Sequence, residues 1–135
     1  MSNILKIFYL ILIILFIVAS SHAQETKKEK IFKNILDFKN ELQLTKDQIE
    51  DIKEITDEFK LKESKISKEI QTHEAKLKEL LYKEGDIIEI IKEIREIYKL
   101  KGELIVEEFL TARKIDAILT AEQKKKWKEI RDKKF

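Results

Sequence analysis

The sequence predicts an all-α fold: a four-helix elongated hairpin, with two long antiparallel helices and a short helix at each end. Three observations predict it. The 135 residues hold no Pro and two Gly, so little in the chain breaks a helix. Apolar residues recur at steps of three and four through a heavily charged middle. Four N-cap signatures divide that middle, at Thr26, Thr45, Asp86 and Thr120.

Residues 1–23 stand apart from the fold. Lys6 gives a positive start, Ile7 to Val18 is an unbroken apolar run, and Ser21-His22-Ala23 offers small residues where a signal peptidase reads. The run is shorter than the roughly 18–20 apolar residues that span a bilayer. It reads as a signal peptide cleaved after Ala23; an uncleaved membrane anchor is the competing reading. Residues 24–135 then form one domain, and a periplasmic location follows from export. Lys6 is the only charged side chain removed, so the net charge falls from +2 to +1. Charged residues make up 40% of the chain with nearly cancelling signs, which points away from nucleic acid and toward solvated helix faces. There is no Cys, so disulfides contribute nothing and stability rests on helix packing or on a partner chain.

The first short helix is expected from Thr26, with Glu29 completing a capping box. Ile31, Ile35, Phe38 and Leu42 form its stripe, widened by Phe32 and Leu36. Glu41 to Leu44 then makes a tight corner. The first long helix is expected from Lys46 to about Glu84, nearly 60 Å at about 1.5 Å per residue. Ile49, Ile70 and Leu77 hold one position of its heptad, and Ile52, Phe59, Ile66 and Leu80 the other. Thr56, Glu63 and His73 interrupt this seam. Gly85 suits a left-handed C′ position, and Asp86 with Glu89 opens the next helix. That second long helix, Ile87 to about Ile118, is expected to turn Ile87, Ile91, Ile94, Tyr98, Ile105, Ala112 and Ile115 inward, with Ile90, Ile97, Leu104 and Ile118 beside them. Gly102 weakens its interior by up to about 1 kcal/mol relative to Ala. Thr120 opens the last helix, with Trp127 and Ile130 as its apolar residues.

Two of these starts share one motif. Leu44-Thr45-Lys46-Asp47-Gln48 and Leu119-Thr120-Ala121-Glu122-Gln123 both read L-T-x-x-Q. The Thr hydroxyl accepts a backbone N–H of the first turn, and the Gln reaches back to the N-cap's own N–H. Two such copies flanking a long helical hairpin behind a signal segment resemble the Spy/CpxP family of periplasmic proteins, over residues 24–135. The resemblance implies a thin, curved homodimer and an ATP-independent chaperone that holds unfolded or misfolded envelope proteins. It equally implies, as the alternative, a CpxP-like regulator that binds a sensor-kinase periplasmic domain in the envelope stress response. A purely structural hairpin is a third class.

Leu61, Tyr82, Val106, Phe109 and Leu110 fall off the main stripes. They are candidate contacts for unfolded clients or for a dimer partner, unless the short helices cover them. No catalytic set is expected, because the mature chain holds one His, no Cys and no Gly-rich phosphate loop. No cofactor is expected. Some members of the resembled family are metal sensors, yet a single His73 does not suit a dedicated site for a borderline metal. After signal cleavage no membrane contact is expected.

Overall fold

A computed structural model describes residues 35–134 of the chain. The expected signal segment and the helix start at Thr26 lie outside the described residues. Within them the chain is all-helical, without strands. It has three α-helices: α1 (Lys46–Tyr82), α2 (Ile87–Ile118) and α3 (Ala121–Lys134). A short 3-10 helix, Ile35–Phe38, precedes them. The α-helix expected through Ile35, Phe38 and Leu42 is therefore a 3-10 helix followed by turns. The three side chains are buried nonetheless.

The long helices α1 and α2 pack together. Ion pairs across the contact record their register: Glu58 with Lys114 at 3.2 Å, Lys62 with Glu107 at 2.7 Å, Glu74 with Lys101 at 3.3 Å and Lys76 with Glu93 at 2.8 Å. As the α1 number rises the α2 number falls. Most of these groups are partly exposed, so they mark register more than they stabilise. Stability comes from the side chains between them. On α1 the buried residues are Ile52, Phe59, Ile70 and Leu77, all from the two expected heptad positions. Of the interruptions, Thr56 turns its hydroxyl back to the Ile52 carbonyl at 2.6 Å. His73 faces α2.

The inner face of α2 is only in part the expected one: Ile97 and Ile115 are buried as expected. Glu93, Ile97, Leu100, Thr111 and Ile115 are buried there. Ile87, Ile91, Tyr98 and Ile105, expected inward, are exposed. The helix carries apolar residues around most of its circumference, so its period alone does not choose a face. The α1 stripe and the ion-pair register make the choice.

The turn between α1 and α2 also differs from expectation. Glu84, not Gly85, adopts the left-handed backbone, with φ 52°. The Gly85 N–H reaches the Leu80 carbonyl at 2.7 Å, the long-range bond of a Schellman end. Gly85 is needed for a different reason. A Cβ there would lie 2.9 Å from the Leu80 Cδ2 and 3.2 Å from the Leu80 carbonyl oxygen. Asp86 then caps α2 by accepting the Ile88 N–H at 2.9 Å.

The buried residues form two separate clusters. The terminal one joins Ile35, Phe38, Leu42, Ile52, Ile115, Leu119 and Trp127. The distal one joins Ile70, Leu77, Ile97 and Leu100. Among the described residues no helix is long and apolar enough to cross a membrane.

Candidate functional site

Three features could carry function: the joined L-T-x-x-Q motifs, a buried carboxylate in the α1–α2 seam, and the outer face of α2.

The motifs begin as two capping boxes of one geometry. The Thr45 hydroxyl accepts the Gln48 N–H at 3.2 Å, and the Gln48 Oε1 accepts the Thr45 N–H at 3.0 Å. At the second copy the Thr120 hydroxyl accepts the Gln123 N–H at 3.2 Å, and the Gln123 Oε1 accepts the Thr120 N–H at 2.9 Å. The boxes then bond to each other. Gln48 Nε2 donates to Gln123 Oε1 at 2.8 Å, and Gln123 Nε2 donates to Gln48 Oε1 at 3.1 Å. The remaining N–H of Gln48 goes to the Ile118 carbonyl at 3.1 Å. That of Gln123 is shared between the Leu42 and Gln43 carbonyls at 3.2 and 3.3 Å. Each amide thus uses both donors and both acceptor lone pairs. Turning either amide over would set N–H against N–H, so the network fixes both orientations.

The backbone is bent to serve this clasp. Gln43 sits at φ 52°, an uncommon conformation for a residue with a Cβ. It ends the preceding helical turns with a Leu44 N–H to Lys39 carbonyl bond at 2.9 Å. That turn leaves the Leu42 and Gln43 carbonyls side by side at Gln123. Leu119 is buried in the terminal cluster, and Leu44 packs on its edge. All six motif residues therefore meet in one place, although 75 positions separate the copies.

Glu93 is the deepest charge among the described residues, 2% exposed. Its carboxylate meets Lys76 at 2.8 Å and His73 Nδ1 at 2.5 Å, both from α1. The hydrogen bond from Lys76, and then that from His73, holds the carboxyl below its ordinary range against the opposing effect of burial. The same contact raises Lys76. Sequence reasoning missed Glu93. The usable signal was its place between Ile90 and Ile97, where an i, i+3, i+7 row faces His73. Among the described residues no group of three or more metal-capable side chains gathers, around His73 or elsewhere.

This pair fixes the sign of one pH effect. A depressed carboxylate stabilises the fold fully above its unfolded value, near 4.5, and loses that contribution as pH falls through the folded value. Glu93→Gln is expected to lower stability by about 1–2 kcal/mol at pH 7, the usual worth of a charge-assisted hydrogen bond. The gap between wild type and variant should narrow as pH falls from about 6 to below about 4. Urea melts across that range measure it. A gap that stays constant would show that the charge of Glu93 does not matter.

The outer face of α2 is apolar along most of its length. Ile87, Ile88, Ile91, Tyr98, Ile105, Val106, Phe109 and Leu110 are all exposed, with Tyr98 at 63% and Phe109 at 61%. Leu61 and Tyr82 are exposed on α1, Tyr82 at 89%. The candidate contacts Leu61, Tyr82, Val106, Phe109 and Leu110 are thus all on the surface. The sequence pattern undercounts the row, because it turns Ile87, Ile91, Tyr98 and Ile105 inward and leaves Ile88 unplaced. Arg113 lies over the Phe109 ring at 5.6 Å, and Lys101 over the Tyr98 ring at 6.0 Å. Such cations are attracted to the electron-rich ring faces. Compared with protein-family models, curated proteins and solved structures, the chain matches none.

Proposed function

We propose that this chain is an ATP-independent periplasmic chaperone, exported by residues 1–23, that binds unfolded or misfolded envelope proteins and limits their aggregation. Its working form in this reading is a homodimer of thin, curved hairpins. It is a binding protein and not an enzyme, and it needs no cofactor.

One observation carries the reading. Ten large apolar side chains are exposed among the described residues, eight of them on α2. Single exposed hydrophobes are ordinary; a row along one helix marks an interaction surface. The surrounding charge would attract clients of either sign, and the apolar row would then hold them without sequence preference. The paired L-T-x-x-Q motifs support the same reading through their resemblance to the Spy/CpxP family.

The test is an aggregation assay. An unfolded model protein is diluted into buffer with and without the purified chain, and light scattering is followed in the absence of nucleotide. Scattering should fall at near-stoichiometric ratios, and added ATP should change nothing. Raised salt should slow capture, because the encounter is electrostatic. Val106→Ser should weaken holding several-fold while leaving the melt unchanged. If aggregation proceeds untouched and the chain instead binds a sensor-kinase periplasmic domain, the regulatory alternative replaces this one.

A further inference from the structure

We propose that the lysine-bearing flank of α3 docks on an anionic lipid bilayer surface and holds that end of the hairpin against a membrane without entering it. The contact is separate from the holding of clients. It departs from the expectation of no membrane contact after signal cleavage.

Charge is segregated along the chain although its total nearly cancels. Residues 121–134 carry seven Lys and Arg against three Asp and Glu, a net of +4. The rest of the chain after Ala23 carries twenty against twenty-three, a net of −3. The far end of the hairpin is acidic. Around the α1–α2 turn, residues 79–89 hold Glu79, Glu84, Asp86 and Glu89 against Lys83 alone. An anionic surface therefore draws in the α3 end and repels the turn.

Within α3 the positive groups gather on one flank. Lys124, Lys128 and Arg131 repeat at steps of four and three, and Lys125 stands beside Lys128 at a step of three. Asp132 shares this side of the helix. Glu122 and Glu129 lie toward the other flank, which carries Lys126 and Lys133. Lys124, Lys125, Lys126, Lys128 and Lys133 are all exposed, and none forms an ion pair among the described residues. On the long helices, by contrast, Lys62, Lys76, Lys101 and Lys114 all meet carboxylates across the seam. Folding does not account for the row. Lys124 with Lys128, and Lys125 with Lys128, are like charges one turn apart, which destabilise a helix.

The kind of partner follows from what the flank lacks. Trp127 is buried and Ile130 half-buried, so α3 exposes no large apolar side chain among the described residues. Protein interfaces centre on apolar anchors, with charge kept to the rim. A headgroup layer needs neither anchors nor fixed geometry, because lysines act on phosphates as point charges and their effects accumulate. Nucleic acid, the other extended polyanion, is out of reach in the exported form proposed above. A helix that sinks into the interface needs its apolar face free. Here that face is committed to Phe38 and the terminal cluster. The contact is therefore electrostatic and peripheral.

The test sediments the purified protein with vesicles of phosphatidylcholine, with and without phosphatidylglycerol. It should bind the anionic vesicles, ignore the neutral ones and come off as salt is raised. The triple variant Lys124→Gln, Lys125→Gln, Lys128→Gln should bind roughly 100-fold more weakly, at about fivefold per lysine, with its thermal melt no lower than wild type. A control triple on α1, Lys65→Gln, Lys68→Gln, Lys78→Gln, removes the same charge from exposed lysines outside any described ion pair. It should bind nearly as well as wild type. Trp127 is the only Trp, and its emission should not shift on binding, since docking leaves it buried. A blue shift would mean insertion and overturn the peripheral contact. Equal binding to neutral vesicles, which an uncleaved apolar run at Ile7 to Val18 would give, would overturn the inference. Equal losses in the two triples would do the same, because net charge alone would then explain them. A chain that ignores both vesicles yet binds polyglutamate would assign the flank to an acidic protein, and the membrane would drop out. The aggregation assay contains no lipid, so either reading can fail without the other.

Discussion

Replacing Gln123 by Glu is expected to destabilise the fold by about 3 kcal/mol or more at pH 7, with Gln48→Glu close behind. The new carboxylate oxygen would stand where Nε2 now donates, facing Gln48 Oε1 and the Leu42 and Gln43 carbonyls. Attraction becomes repulsion, and at least two half-buried acceptors lose their donor, at about 1–3 kcal/mol for each group left unsatisfied. Capping alone predicts much less. Thr45→Ala or Thr120→Ala removes one acceptor from a helix start and should cost about 1 kcal/mol. The clasp is therefore distinguished from two independent caps by the ratio of these effects. A double-mutant cycle with Gln48→Ala and Gln123→Ala isolates the cross-link itself. A coupling of about 1–3 kcal/mol is expected for groups in one hydrogen-bond network. Urea melts followed by circular dichroism give every number. Additive losses, or Gln123→Glu no worse than Thr120→Ala, would reduce the motif to capping.

Trp127→Ala should have an effect of similar size by a different route. The side chain is 4% exposed and lies with its ring centre 5.8 Å from that of Phe38, tilted by 45°. The Arg131 guanidinium lies over its ring at 5.6 Å. Truncating a buried aromatic of this size costs about 3–5 kcal/mol in transfer and cavity terms. Besides Trp127, α3 is fastened at its first turn by the Gln123 clasp and by little else. Ile130 is its other large apolar residue, and it packs at the edge of the cluster. The helix itself is lysine-rich and too short to persist alone in water. Loss of Trp127 should therefore release α3, with a drop in helical signal at low temperature before the main melt. Because Trp127 is the only Trp, wild-type fluorescence reports this end of the molecule directly. Trp127→Phe should retain most of the stability. A cost below about 1 kcal/mol for Trp127→Ala would mean that the clasp, not the ring, holds α3 in place.

Where α1, α2 and α3 start was legible because capping is local. Thr45, Asp86 and Thr120 announce their helices within three residues. The α1 seam was legible because polar residues surround its apolar stripe, so Ile52, Phe59, Ile70 and Leu77 had one face to fill. The face of α2 was not, since Ile and Leu stand nearly all around it and only packing against α1 decides which of them turn inward. Gly85 suits the left-handed position by residue type, whereas Glu84 takes that conformation and Gly85 makes room for Leu80. Of the candidate site, the six motif residues were found. Their meeting was not, because a hydrogen bond between side chains 75 positions apart leaves no local trace. Glu93 was passed over because a charge in an apolar row reads as an interruption until its partners on the other helix are known.

The two clusters differ in how far apart their members lie along the chain, and this sets an order of assembly. The distal cluster draws on residues between Ile66 and Leu100, joined through one tight turn. The terminal cluster draws on Ile35 at one extreme and Ile130 at the other. A chain leaving a ribosome or a translocation pore presents its residues in sequence. The distal half has all its parts once Leu100 has emerged, and it closes a short loop. The terminal half must wait for Trp127 and then close a longer loop, at a larger entropic cost. Until then Ile35, Phe38, Leu42 and Ile52 stand uncovered. In vectorial synthesis the distal half thus assembles first and the terminal cluster last.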